Sequence, residues 1–260
     1  MLKKLWSNKP LVGLIIFVVA VSILNPRFLS QANILNVLRQ MSINSIIAIG
    51  MTFVILTGGI DLSVGSILAI CGAVMASLLN SGYNAGIALI ITLALGLVFG
   101  IVNGFFVAKM KLQAFIVTLV TMTFLRGATL VYTDGKPITV DDGGVLFENI
   151  GEGYLFGIPV PIYIMIILFI GGYYILKHTK FGRYTYAIGG NEEATKLSGI
   201  NVDKVKIWVY GICGMLSALA GVILTSRLYS AQPTAGSGYE LDAIAAVVLG
   251  GTSLSGGVGK

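Results

Sequence analysis

Few residues in this chain are equipped for covalent chemistry. The single histidine, His178, stands in a basic stretch beside Lys177 and Lys180, and the two cysteines, Cys71 and Cys213, lie far apart in apolar segments. No H-E-x-x-H or paired-cysteine spacing accompanies them, so the cysteines read as small buried apolar residues. The closing Gly-Gly-Val-Gly-Lys carries the lysine of a phosphate-binding loop, but Leu254 occupies the position where that loop needs its first glycine. The pattern therefore predicts no catalytic residue, no metal and no cofactor, and any ATP-driven process would need a separate ATPase.

The polar residues with informative spacing are of another kind. In the stretch 191–199, Asn191 is a good N-cap, and Glu192 and Glu193 follow it where the helix dipole favours negative charge. Glu192 and Lys196 are four residues apart, Ala194 and Leu197 share one face, and Gly199 is a natural helix terminator. This spacing predicts a two-turn amphipathic helix. It suits insertion into a partner's groove, and equally a connector lying on lipid headgroups.

A second group interrupts apolar runs. Gly58 and Gly59 followed by Asp61 place two flexible residues and a carboxylate between hydrophobic blocks. Either a broken helix lines a cavity there, or Asp61 caps the next helix with help from Ser63. Asn103 lies in a long apolar helix and is suited to a sugar hydroxyl or an interhelical bond. Asn44 and Arg126 are equally isolated, and Arg126 can snorkel or anchor a cavity wall. Glu240 and Asp242 follow the turn 232–238, where they either face the exterior mouth or cap the next helix.

The elements that carry these residues are membrane helices. Of 260 residues, 56% are hydrophobic and only 11% charged, whereas a soluble domain carries about a quarter charged residues. Apolar blocks fall at 11–24, 43–58, 62–80, 85–108, 113–132, 160–176, 207–226 and 241–250, and a span needs ~20 apolar residues. The last block is short enough to be re-entrant or cut off. The first resembles a signal peptide but lacks a small-residue cleavage site, so it reads as a retained helix.

Lys3, Lys4 and Lys9 argue for a cytoplasmic N-terminus. The loop 177–206 is strongly basic, whereas 133–159 carries five acidic residues and one lysine. Counting crossings puts the basic loop inside and the acidic loop outside. Gly96, Gly100 and Gly104, and Ser217 with Gly221, give small-residue faces for close helix packing, within one bundle or across a homodimer seam. No basic stripe interleaves with aromatics, so no nucleic acid partner is expected.

Three segments carry a family resemblance. Glu193-Ala194-Thr195 followed by Gly199 resembles the E-A-A-x-x-x-G coupling signature of ABC importer permeases, without the isoleucine-leucine-proline continuation of its longer form. The segments 57–66, beginning Thr57-Gly58-Gly59-Ile60-Asp61, and 230–253, containing Gly236-Ser237-Gly238-Tyr239-Glu240-Leu241-Asp242, are similar to the ribose/xylose/arabinose permease family, closest to ribose permeases. The resemblance covers the whole chain.

It implies an all-α polytopic membrane bundle, one transmembrane permease domain over 1–260. It also implies a homodimer in the bacterial inner membrane, with an ABC ATPase subunit docked at Asn191, Glu192, Glu193, Ala194, Leu197 and Gly199. An extracytoplasmic sugar-binding protein would deliver the cargo. On this reading Gly58, Gly59, Asp61, Asn103, Glu240 and Asp242 are the pathway candidates. The end of the chain, straight after an apolar block, is read as C-terminally incomplete, with further helices missing. The alternative is a self-contained secondary sugar transporter, for which the sequence offers few intramembrane carboxylates and no internal repeat.

Overall fold

A computed structural model describes residues 9–25 and 27–259; Lys3 and Lys4, which carry part of the orientation argument, lie outside the described residues. The helices are α1 (Lys9–Leu24), α2 (Gln31–Leu56), α3 (Val64–Asn80), α4 (Ala85–Ala108), α5 (Ala114–Tyr132), α6 (Gly144–Gly151), α7 (Val160–His178), α8 (Lys180–Gly190), α9 (Glu192–Leu197), α10 (Val202–Leu228) and α11 (Tyr239–Leu249). Four two-residue strands complete the description: β1 (Ile138–Thr139), β2 (Tyr154–Leu155), β3 (Ile158–Pro159) and β4 (Ser230–Ala231). Among the described residues, α2, α4, α5, α7 and α10 are long and apolar enough to cross a membrane. The fold is an all-α polytopic membrane bundle.

Two compact units divide the chain, Met1–Met41 and Ser42–Lys260. In the first, a local polar knot starts α2: the Ser30 hydroxyl accepts from Asn33 N, and the Asn33 amide donates to Phe28 O at 2.8 Å. This capped start lies twelve residues before the apolar block that announces the helix in the sequence. The first turns of α2 are rich in Asn, Gln and Arg and carry no hydropathy signal.

The second unit is built around α3 and α10, whose side chains are mostly buried. Helix α4 lies against α10 along its glycine face. A Cβ at Gly100 would stand 2.2 Å from Tyr210 O, one at Gly96 2.4 Å from Ala218 Cβ, and one at Gly104 2.7 Å from Ile207 Cα. Gly221 of α10 meets α3 in the same way, 2.4 Å from Leu68 O. The small-residue stripes thus serve crossings inside one chain, where close backbone approach supplies the van der Waals contact that lipid does not drive.

At one end of the unit, β1 pairs antiparallel with β4, and Asn80 at the tip of α3 donates to Thr139 O at 2.7 Å. Phe147 of α6 is fully buried there, and its carbonyl accepts from the Ser226 hydroxyl. From β4 the chain turns back into the bundle. Gly236 packs on Gly65, which lies fifteen residues along α3 from Asn80, or about 22 Å at 1.5 Å per residue. Arg126 of α5 holds this turn by donating to Pro233 O at 3.0 Å and Ala235 O at 2.7 Å.

Helix α11 starts from that depth and spans eleven residues, about 16 Å. It is followed by a loop whose Gly256 and Gly257 pack on Gly58, Gly189 and Gly190. The short last block is therefore a half-helix beginning inside the bundle. Glu240 and Asp242 lie in its first turn, with Glu240 against Gly65 at the end of α3 opposite Asn80 and the β1–β4 pair.

Candidate functional site

Three successive side-chain caps shape the basic loop. Thr179 accepts from Gly182 N at 3.2 Å to open α8, Asn191 accepts from Ala194 N at 2.9 Å to open α9, and Asn201 accepts from Lys204 N at 3.0 Å to open α10. Such caps are worth about 1 kcal/mol each. Helix α9 ends at Ser198, and Gly199 follows at φ +80°, a conformation that suits glycine. His178, just before this loop, stacks on Tyr174 with ring centroids 5.3 Å apart.

The faces of α9 have different fates. Thr195 turns inward, while Glu193, Ala194 and Leu197 are exposed, Leu197 to 89%. Glu192 turns back onto the protein. The i,i+4 spacing suggested Lys196 as its partner, but its carboxylate instead accepts from Lys206 of α10 and, at 3.3 Å, from Lys111 in the α4–α5 loop. Lys111 also lies 3.4 Å from Asp203, and Lys109 lies 3.2 Å from the other Asp203 oxygen. Burial opposes ionisation of Glu192, but the bonds from Lys206 and Lys111 outweigh it and hold the carboxyl below the usual carboxylate range.

Beside this ion-pair cluster a polar cavity of about 230 Å³ is lined by Thr57, Gly58, Gly59, Lys111, Glu192, Lys206 and Tyr210 among others. The structure therefore brings the glycine break and helix α9 to one place. Gly58 adopts φ +77° as α2 ends. Gly59 lies so close to Tyr210 that a Cβ would stand 2.4 Å from the phenol oxygen.

Beneath the break a chain of donors converges on Asp61. Thr121 donates to Asn103 Oδ1 at 2.6 Å, the Asn103 amide donates to Ser63 Oγ at 2.9 Å, and the Ser63 hydroxyl donates to Asp61 Oδ1 at 2.6 Å. The Ser63 N–H adds a second bond to the same oxygen at 2.9 Å. Asp61, Ser63 and Asn103 are fully buried. Among the described residues Asp61 Oδ2 has no hydrogen-bond partner. Asn103 spends both ends of its amide on interhelical bonds. Asp61 folds the turn before α3, whose N-cap, Ser63, makes no side-chain cap of its own.

Glu240 and Asp242 stand apart from this network. Glu240 accepts from Gly238 N at 3.2 Å, and Asp242 accepts from the Asn44 amide at 3.2 Å. Asp242 is exposed, one turn before Ala246, which lines a cavity of about 1170 Å³ between α2, α7, α8 and α11 together with Ser45, Thr52 and Thr252. Sequence reading missed Lys111, Lys206 and Thr121 as site residues. The two lysines stood out in the sequence only as basic loop residues, a signal of orientation and not of a site.

Residues 33–258 match the family described as branched-chain amino acid transport system / permease component. The chain is 59% identical over 256 residues to the ribose import permease protein RbsC of Haemophilus influenzae, covering 98% of this chain and 79% of that protein. It is 61% identical over 251 residues to RbsC of Bacillus subtilis, covering 96% and 78%. It is 42% identical over 250 residues to the L-arabinose transport system permease protein AraH of Escherichia coli, covering 96% and 76%. No solved structure matches.

Proposed function

The chain belongs to the branched-chain amino acid transport system / permease component family, and we propose that it forms the translocation pathway of an ATP-driven, binding-protein-dependent ribose importer. As a member it is a multi-pass membrane permease subunit, and its role is transport, not catalysis. The ribose assignment rests on relatives named as ribose import permeases at 59% and 61% identity over nearly the whole chain.

The observation that carries the ATP-driven reading is the two-faced α9. Its Glu193, Ala194 and Leu197 stand exposed on a well-capped helix whose other face is bonded to the bundle. That is the surface an ATPase subunit would grip, with Asn191 and Gly199 setting its ends. The N-terminus is cytoplasmic on this reading, an extracytoplasmic sugar-binding protein delivers cargo to the opposite end, and two copies in the lipid bilayer enclose the path. Gly58 and Gly59 form a cytoplasmic constriction, supported from below by Asp61 and Asn103. Glu240 and Asp242 set the half-helix beside the large cavity, which supports placing the sugar path along α2 and α11.

The full-length subunit, reconstituted in liposomes with its ATPase and a ribose-binding protein, should take up labelled ribose only when ATP and the binding protein are both present. Uptake driven instead by a proton or sodium gradient would make it a secondary transporter, with Asp61 the obvious coupling carboxylate. Gly199→Val and Glu193→Lys should abolish ATP-driven uptake while the protein still inserts in the membrane.

A further inference from the structure

Glu192 and Glu193 are neighbours in the same helix turn, yet only Glu193 faces outward. The Glu192 carboxylate bridges two elements that are distant in sequence: Lys206 on α10 and Lys111 in the α4–α5 loop. Lys206 is nearly enclosed, its side chain 14% exposed, and among the described residues Glu192 is its one ion-pair partner. Lys111 sits at φ +56°, a backbone conformation rare for a residue with a side chain, and there it reaches both Glu192 and Asp203. Helix α9 is thus tied by charge to the head of α10 and to the loop between α4 and α5.

One turn along α10 from Lys206, on the same face, is Tyr210. It is 1% exposed, its hydroxyl lies 3.5 Å from Ile60 O, and it fills the space a Gly59 side chain would need. Glu192, Lys206, Tyr210 and Gly59 all border the same 230 Å³ cavity. One helix face therefore carries the partner of Glu192 and, one turn deeper, the side chain seated on the α2–α3 break.

We propose that Glu192, Lys206 and Lys111 form an internal latch that carries displacement of α9 onto α10, and that Tyr210 delivers it to the Gly59–Ile60 backbone to open or close the cytoplasmic constriction. These residues act through α10 and the break, as positioning residues. The inference rests on the reading that α9 docks an ATPase, and it adds the route by which the docked helix moves the break.

The test uses the complete importer, permease with ATPase and binding protein, in liposomes, and reads sugar taken up per ATP hydrolysed. Lys206→Met should lower that ratio at least tenfold while the ATPase still co-purifies with the permease. Lys206→Arg, which keeps a cation opposite Glu192 and leaves the Lys111 arm intact, should retain most of the wild-type ratio. Tyr210→Leu should lower the ratio with the latch intact.

Uptake and hydrolysis falling in parallel in Lys206→Met would overturn the latch and leave the cluster a fold-holding bridge. A wild-type ratio in Lys206→Met would overturn it as well, as would a loss in Lys206→Arg as large as that in Lys206→Met when the variant purifies as a complete complex. If wild-type uptake proves independent of ATP, the docking reading itself fails, and that result is seen before any variant is compared.

Discussion

Helix α9 and the glycine break lie on two sides of one small cavity, yet they are built on opposite principles. Helix α9 is short, exposed and held by a cap and ion pairs that water can reach, so its outer face is free to meet a partner. The break at 57–63 is buried and held by a directed chain of neutral donors ending on one carboxylate. Exposed ion pairs contribute little to stability, whereas a buried polar network is costly to disturb in part. The two regions should therefore respond differently to mutation, one in coupling and the other in folding.

The largest effect is expected in the packing beneath the break. Gly100→Leu would drive a side chain into the Tyr210 backbone, and we expect a loss of about 3 kcal/mol or more, seen as a lower thermal midpoint or loss of a monodisperse peak in detergent. Asp61→Ala would strand the Ser63 N–H and hydroxyl, a loss of about 1–3 kcal/mol in the same assay. A wild-type midpoint in that variant would mean the relay is not structural and would blur the contrast.

On the exposed side, Leu197→Asp should leave stability within about 0.5 kcal/mol. It should nonetheless weaken ATP-driven uptake about tenfold, the result of ~1.4 kcal/mol lost at the docking face. If its midpoint drops as far as that of Asp61→Ala, the two regions are not distinct.

The smallest effect concerns pH. The folded Glu192 carboxyl titrates below its unfolded value, so its bridge stabilises the protein above the ordinary glutamate range and is lost as pH falls through the depressed folded value. Screening limits this to about 0.5 kcal/mol. The midpoint gap between wild type and Glu192→Gln should be present at neutral pH and close on acidification below the usual glutamate range.

Much of the architecture was legible in the sequence because membrane helices announce themselves by continuous hydropathy. The block at 85–108 coincides with α4, and those at 62–80, 113–132 and 241–250 miss α3, α5 and α11 by one or two residues at an end. The capped helix α9 was legible too, since Asn191 and Gly199 act within a few residues of its ends. The polar start of α2 was not, because its Asn, Gln and Arg residues break up the continuous hydropathy that marks the rest of the helix. Local spacing proposes Lys196 as the partner of Glu192, but the fold brings up the more sheltered Lys206, and Lys111 beside it.

By itself the sequence determined that this chain crosses a membrane many times, where most of its apolar helices lie, and that a short capped helix opens at Asn191. Those features depend on interactions within about one helical turn or on the bulk preference of apolar surface for lipid. Tertiary structure alone decided that the glycine stripes pack α4 on α10, that the chain re-enters the bundle before α11, and that Thr121 and Asn103 of two other helices reach Asp61 through Ser63. Those contacts join residues dozens of positions apart, and only backbone approach in three dimensions, not any periodicity along the chain, could select them.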